Sequence, residues 1–203
     1  YTVAGNRIFK EDLQQGGAIG PQRALLQTAR GYFEAGLQLA KEGSDRRALE
    51  RPLAQCLAAL AMLTSDSKEK REAYARAVAL FESSAPAVGD QTDASLLAAW
   101  GMALAELGKI DREPSTVRRG IERLLAAVEK EPKLLNERYN LACAYAQLNQ
   151  PDQAVRHLRH CWENDPDEIY RKLSEKDRDL QSIRSSPAYK QLQADYPLAP
   201  PSP

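Results

Sequence analysis

Between positions 21 and 195 the apolar residues recur at steps of three and four, the spacing that puts side chains on one face of an α-helix. Leu25, Ala29, Tyr32, Phe33, Gly36 and Ala40 share such a stripe and predict a long first helix with one buried face. Gly43-Ser44-Asp45 interrupts it. Pro52 predicts the start of a second helix running to about Leu63, because proline at the first helical position gives up an N–H that has no intrahelical partner anyway. Ser65-Asp66-Ser67 supplies turn and cap residues before a third helix to about Ser84, marked by Ala73, Ala77 and Leu80 and ended by Ala85-Pro86. Further helical segments follow at 93–107, 115–130, 133–148 and 152–164, separated by 108–114, Glu131-Pro132 and 149–151. No stretch alternates long enough to predict a strand. Residues 1–20, with Gly5, Gly16, Gly17 and Gly20, read as a flexible extension, and 196–203, with four prolines, as a Pro-rich tail.

Short helices joined by short turns require a test for internal repeats, and the segment 137–166, ERYNLACAYAQLNQPDQAVRHLRHCWENDP, passes it. It resembles a tetratricopeptide repeat along its whole length. On that family's frame of roughly 34 residues, Leu141, Ala142 and Tyr145 take the large, small and large positions of the first helix. Ala154 and Leu158 take the small and large positions of the second, and Pro166 closes it. Small residues let two antiparallel helices approach while large ones fill the seam. Arg138 and Cys161 depart from the family's tryptophan and alanine. Upstream, Leu97, Trp100, Gly101, Leu104 and Gly108 fit the same frame, with Gly120, Leu124, Ala127 and Pro132 completing a second helix and an insertion at 110–115 lengthening the turn. Residues 54–87 fit through Leu57, Leu60, Ala61, Ala73, Ala77 and Leu80. A rival register pairing Tyr32, Gly36, Leu39, Gly43 and Ala48 as an N-terminal repeat is set aside because it puts Pro52 in the middle of a helix, at roughly 3 kcal/mol. The sequence DRDLQSIRSSPAYKQL resembles a tail found on many bacterial members, which caps the array; Trp162, Leu173, Leu180, Ile183, Tyr189 and Leu192 are its expected contacts.

The resemblance implies an all-α fold, an α-solenoid of antiparallel helix pairs wound as a right-handed superhelix. The expected layout is a helical domain over 21–195, with an N-terminal helix, about three repeats near 54–87, 94–134 and 135–168, and a cap over 169–195. It also implies a concave groove lined by the first helix of each repeat. The groove positions carry over as Gln55, Ala58, Met62, Ser65 and Asp66, then Ser95, Ala98, Met102, Ala105 and Glu106, then Asn136, Tyr139, Cys143, Ala146 and Gln147. Of these, Met62, Ala98, Met102, Glu106, Asn136, Tyr139, Cys143 and Gln147 are the candidate partner-binding residues. The lysines, arginine and asparagines with which chaperone-binding members clamp a C-terminal carboxylate are missing; Asn140 alone is no clamp. Met62, Met102 and Tyr139 suit an apolar helix or extended peptide instead.

Composition narrows the field. In a 203-residue chain, 28 basic residues balance 28 acidic ones, so no overall positive field draws nucleic acid, and none is expected as a partner. No apolar run approaches the roughly 20 residues that span a bilayer, so no direct membrane insertion is expected. The chain begins at Tyr1, which reads as a trimmed N-terminus, and nothing in the sequence chooses between cytoplasm and periplasm.

Chemistry is sparse. Cys56, Cys143 and Cys161 lie singly in apolar stretches and read as buried free thiols. His157, His160 and Cys161 are close in sequence, but the repeat frame turns both histidines outward and Cys161 inward, so no metal site is expected. These histidines, the two in the chain, come with no nucleophile elbow. The glycines at 16–20 lack the lysine and hydroxyl of a phosphate loop. The reading is therefore a non-catalytic scaffold for protein–protein interaction, without cofactor, that binds a peptide or helix. Its alternatives are a structural or self-associating domain of a larger protein, through Trp100, Trp162 and the tail, and, third, a metal or enzymatic protein built on the histidines.

Overall fold

The computed structural model describes residues 19–41, 43–84 and 93–197; most of the expected extension, the Ala85-Pro86 stop and most of the Pro-rich tail lie outside them. Among the described residues there are nine α-helices: α1 Ile19–Leu39, α2 Ser44–Met62, α3 Ser67–Ser84, α4 Ala94–Asp111, α5 Pro114–Lys130, α6 Leu135–Gln147, α7 Pro151–Glu163, α8 Ile169–Lys176 and α9 Pro187–Asp195. A 3-10 turn, Arg178–Leu180, lies between the last two.

Local chemistry sets most boundaries. The Asp93 carboxylate accepts the Leu96 N–H at 2.6 Å and caps α4, and Ser186 accepts from Tyr189 N–H at 3.2 Å to cap α9. Prolines 114, 151 and 187 stand in the first turns of α5, α7 and α9, where no hydrogen bond is lost. Helix α4 runs two residues into the expected insertion, to Asp111, and α5 starts within it, at Pro114. Arg112 then adopts the left-handed conformation, at φ 55°, and its N–H bonds back to the Gly108 and Lys109 carbonyls. The α4–α5 turn is thus short, not lengthened.

A second correction concerns Pro52. It lies inside α2, which begins more than two turns earlier, at Ser44. The expected cost is met by tertiary anchoring, since the Arg51 guanidinium donates to the Ser84 carbonyl at 3.0 and 3.2 Å and Leu53 and Ala54 are fully buried. In the packing of the helices, α2 lies chiefly on α3, α4 on α5 and α6 on α7, while α1 also packs on α2. Consecutive pairs stack through α3 against α4 and α5 against α6, giving a TPR-like solenoid of antiparallel pairs.

The tightest seam is α4–α5. A Cβ on Gly120 would stand 2.6 Å from the Gly101 carbonyl oxygen and 2.7 Å from the Ala105 nitrogen, so backbone meets backbone there. The cap closes the C-terminal end. Leu180, Ile183, Tyr189 and Leu192 are buried against α6 and α7, and Trp162 meets Tyr189 and Tyr196 edge-on. Leu173 does not join them and is 44% exposed, because α8 turns Arg171 and Ser174 inward. Tyr32, expected on the buried face of α1, is likewise turned toward solvent.

Candidate functional site

Helices α2, α4 and α6, the first members of the three pairs, stand side by side on one face of the array. Small residues keep that face low. Ala58 and Ala59 from α2 and Ser95, Ala98 and Ala99 from α4 floor an open groove of about 390 Å³, flanked by Gln55, Met62 and Met102. Its far wall is the α5–α6 turn and the start of α6, with Glu131, Leu134, Glu137 and Asn140. Met62 is 58% exposed, while its neighbours Ala58 and Ala98 present only the edges of buried side chains. The cleft is mostly apolar, with a few polar groups at its edge.

Toward the C-terminus the same face narrows to about 100 Å³ between Met102, Glu106, Tyr139, Cys143, Gln147 and the cap residues Asp177 and Asp179. The Tyr139 hydroxyl donates to Asp177 Oδ2 at 2.9 Å, and the Cys143 thiol lies 3.9 Å from the same oxygen. Lys109 at the end of α4 reaches Asp179 at 2.7 Å and Glu106 at 3.5 Å. Burial pushes the Glu106 carboxyl above its ordinary value, partly opposed by Lys109. The cap therefore latches onto the first-helix face.

The candidate residues consequently divide. Met62, Ala98 and Met102 meet in the open groove; Glu106, Tyr139, Cys143 and Gln147 line the narrow end with Met102. Asn136 joins neither cavity, and its side-chain oxygen accepts the Tyr170 hydroxyl at 2.5 Å. Sequence reasoning missed Glu131 and Glu137, since a glutamate at a turn or in a first helical turn reads as solvated.

The polar residues away from the groove explain themselves by packing. His157 is buried, not outward: it is 7% exposed and stacks on Tyr145 with ring centroids 5.5 Å apart. Burial, with Arg138, Arg156 and His160 nearby, depresses its pKa to about 4. Cys56, Cys143 and Cys161 are free and buried, and burial pushes the Cys56 and Cys161 thiols up to about 12. Among the described residues no three His, Cys, Asp or Glu side chains cluster as metal ligands. Trp100 and Trp162 are each 7% exposed, under Arg123 at 4.3 Å and Arg171 at 5.2 Å, so neither indole offers a surface for self-association. No described helix is long and apolar enough to cross a membrane.

Fold and groove together define a TPR-like helical-repeat protein with one open, apolar first-helix face. Among solved structures the chain is similar to YrrB, a TPR protein with an unusual peptide-binding site, at 15% identity and a TM-score of 0.47, over 97% of this chain and 95% of that one. No family model matches the chain, and no curated protein does.

Proposed function

We propose that this chain is a non-catalytic interaction module that takes an apolar helix or extended peptide of a protein partner in the groove between α2, α4 and the start of α6. One observation carries the reading: an open, alanine-floored cleft of about 390 Å³ with an exposed methionine, Met62, at its lip. A solenoid face that existed only to pack would be filled by larger side chains. Methionine, unbranched and with three rotatable bonds, also adapts its shape to differing apolar partners. Fold alone names no partner, so the argument rests on this site.

The test is selection of random peptides of about 16 residues on the immobilised full chain, repeated on Met102→Glu. Both proteins are first compared by circular dichroism. Peptides that bind the parent and are lost from the folded variant support the groove. Peptides retained equally by both, or none at all, refute it.

A further inference from the structure

The chain as a whole is electrically neutral, with 28 basic and 28 acidic residues, yet its first-helix face is not. The open groove is lined by Glu131 and Glu137, the narrow end by Glu106, Asp177 and Asp179, and no lysine, arginine or histidine lines either cavity. Lys109 is bonded to Asp179 at 2.7 Å and approaches Glu106 at 3.5 Å, and Lys70 also acts on Glu106 from farther away. Glu131 and Glu137 have no ion-pair partner among the described residues.

From this asymmetry we infer that the groove's occupant is a basic amphipathic segment of another protein, apolar residues against the alanine floor and lysine or arginine against the glutamate wall. The inference rests on the groove reading above and adds the partner's charge to it. Neighbouring carboxylates at the edge of an open groove repel one another, and an arriving cation removes that repulsion as well as adding its own attraction. Glu137 bears this out in its surroundings: burial, with Glu131 beside it, raises its pKa, although its own backbone N–H acts the other way. An acidic segment would add to the repulsion, and a neutral one would leave it unrelieved. The glutamates stand at the α6 edge of the groove, so the basic residues of the segment should cluster toward the end that reaches α6.

The peptides selected on the full chain supply the test. Those lost on Met102→Glu should carry more lysine and arginine than aspartate and glutamate. Their dissociation constants, measured by fluorescence anisotropy, should rise about tenfold between about 50 and 300 mM salt, because screening reaches exposed pairs first. The double substitution Glu131→Gln with Glu137→Gln should weaken them at least about fivefold. Its charge-reversed counterpart, Glu131→Lys with Glu137→Lys, should select acidic peptides instead. Groove-dependent peptides that are neutral or acidic, or that ignore both double substitutions, overturn the charge inference and leave the groove standing. Peptides indifferent to Met102→Glu overturn the groove itself. A concentration-dependent dimer in sedimentation that Met102→Glu abolishes assigns the groove to a second copy and likewise overturns the proposal.

Discussion

Among the described glycines, Gly120 has the closest backbone neighbours, and it yields the sharpest stability prediction. On Gly120→Ala the new Cβ would lie 2.6 Å from the Gly101 carbonyl oxygen, 2.7 Å from the Ala105 nitrogen and 3.1 Å from the Ala105 Cα, all of them backbone atoms. No rotamer change can relieve such a clash, so α4 and α5 must part by roughly 0.8 Å to regain ordinary contact. A gap of that size forfeits a quarter to a half of each dispersion contact across the seam, where Leu104 and Leu124 are fully buried. We take about 3 kcal/mol for this overpacking, and the better helix propensity of alanine returns about 1 kcal/mol. The net expectation is about 2 kcal/mol of destabilisation, which lowers the urea midpoint by about 1 M at an m-value near 2 kcal/mol/M. Gly31→Ala is the matched control, on an exposed position of α1 with nothing within 4 Å of where its methyl group would stand, and it should raise the midpoint through propensity alone. Circular dichroism followed through a urea titration measures both. A Gly120→Ala midpoint at or above the parent's, with unchanged slope, would refute the steric argument.

Three further predictions test other joints of the array. Pro52→Ala returns a donor to the Ala48 carbonyl inside α2 and should stabilise the chain by about 1–2 kcal/mol, after allowing for the freer unfolded chain; a lowered urea midpoint would contradict this. Because burial holds His157 at about 4 against an ordinary 6.5, the unfolded chain takes up the proton first as pH falls. Stability from this group is therefore full above pH 6.5 and declines toward pH 4, by on the order of 3 kcal/mol. His157→Phe should flatten that part of the profile while keeping a ring against Tyr145, and parallel pH profiles for parent and variant would count against it. Tyr139→Phe removes a hydrogen bond to the Asp177 carboxylate, worth about 1.5–3 kcal/mol. Amide exchange should quicken across residues 178–195 and stay unchanged in α2 and α4; uniform quickening would mean that the latch is not local.

What could be read from the sequence follows the kind of interaction involved. Steric periodicity is local and was legible: Gly101, Gly120, Ala142 and Ala154 mark close helix contacts by their size, and Leu180, Ile183, Tyr189 and Leu192 mark the cap by their spacing. Polar residues were misread wherever a neighbour in space sets their environment. His157 fell on an outward position of the frame, yet Tyr145 on the preceding helix covers it. Leu173 fell on an inward position, yet α8 buries Arg171 instead, whose guanidinium lies over Trp162 at 5.2 Å. Proline and turn chemistry misled for the opposite reason, through too local a view. Pro52 sits well as a helix start in isolation, and only the anchoring of α2 on α3 keeps it within a longer helix. The extent of α4 depended on Arg112 adopting a left-handed conformation that its residue type does not favour.

The same contrast decides how long the groove is. In the sequence the first-helix positions of all three repeats look equivalent, but the cap breaks the equivalence. Asp177 caps the 3-10 turn with one oxygen, accepting from Asp179 N–H at 3.0 Å, and receives the Tyr139 hydroxyl on the other. The turn Arg178–Leu180 packs against α6, beside the face where a further first helix would stack. That contact occupies Tyr139 and Cys143 and leaves only the start of α6, at Glu137 and Asn140, facing the open part of the face. With neighbouring helix axes about 8–10 Å apart, the span from α2 across α4 to α6 is about 20 Å. An extended segment crosses it in about six residues at roughly 3.3 Å each, and a helix in about 13 residues at 1.5 Å each. The segment proposed for the groove is therefore a short linear one, and the open groove's two glutamates stand at the α6 edge, where it would end.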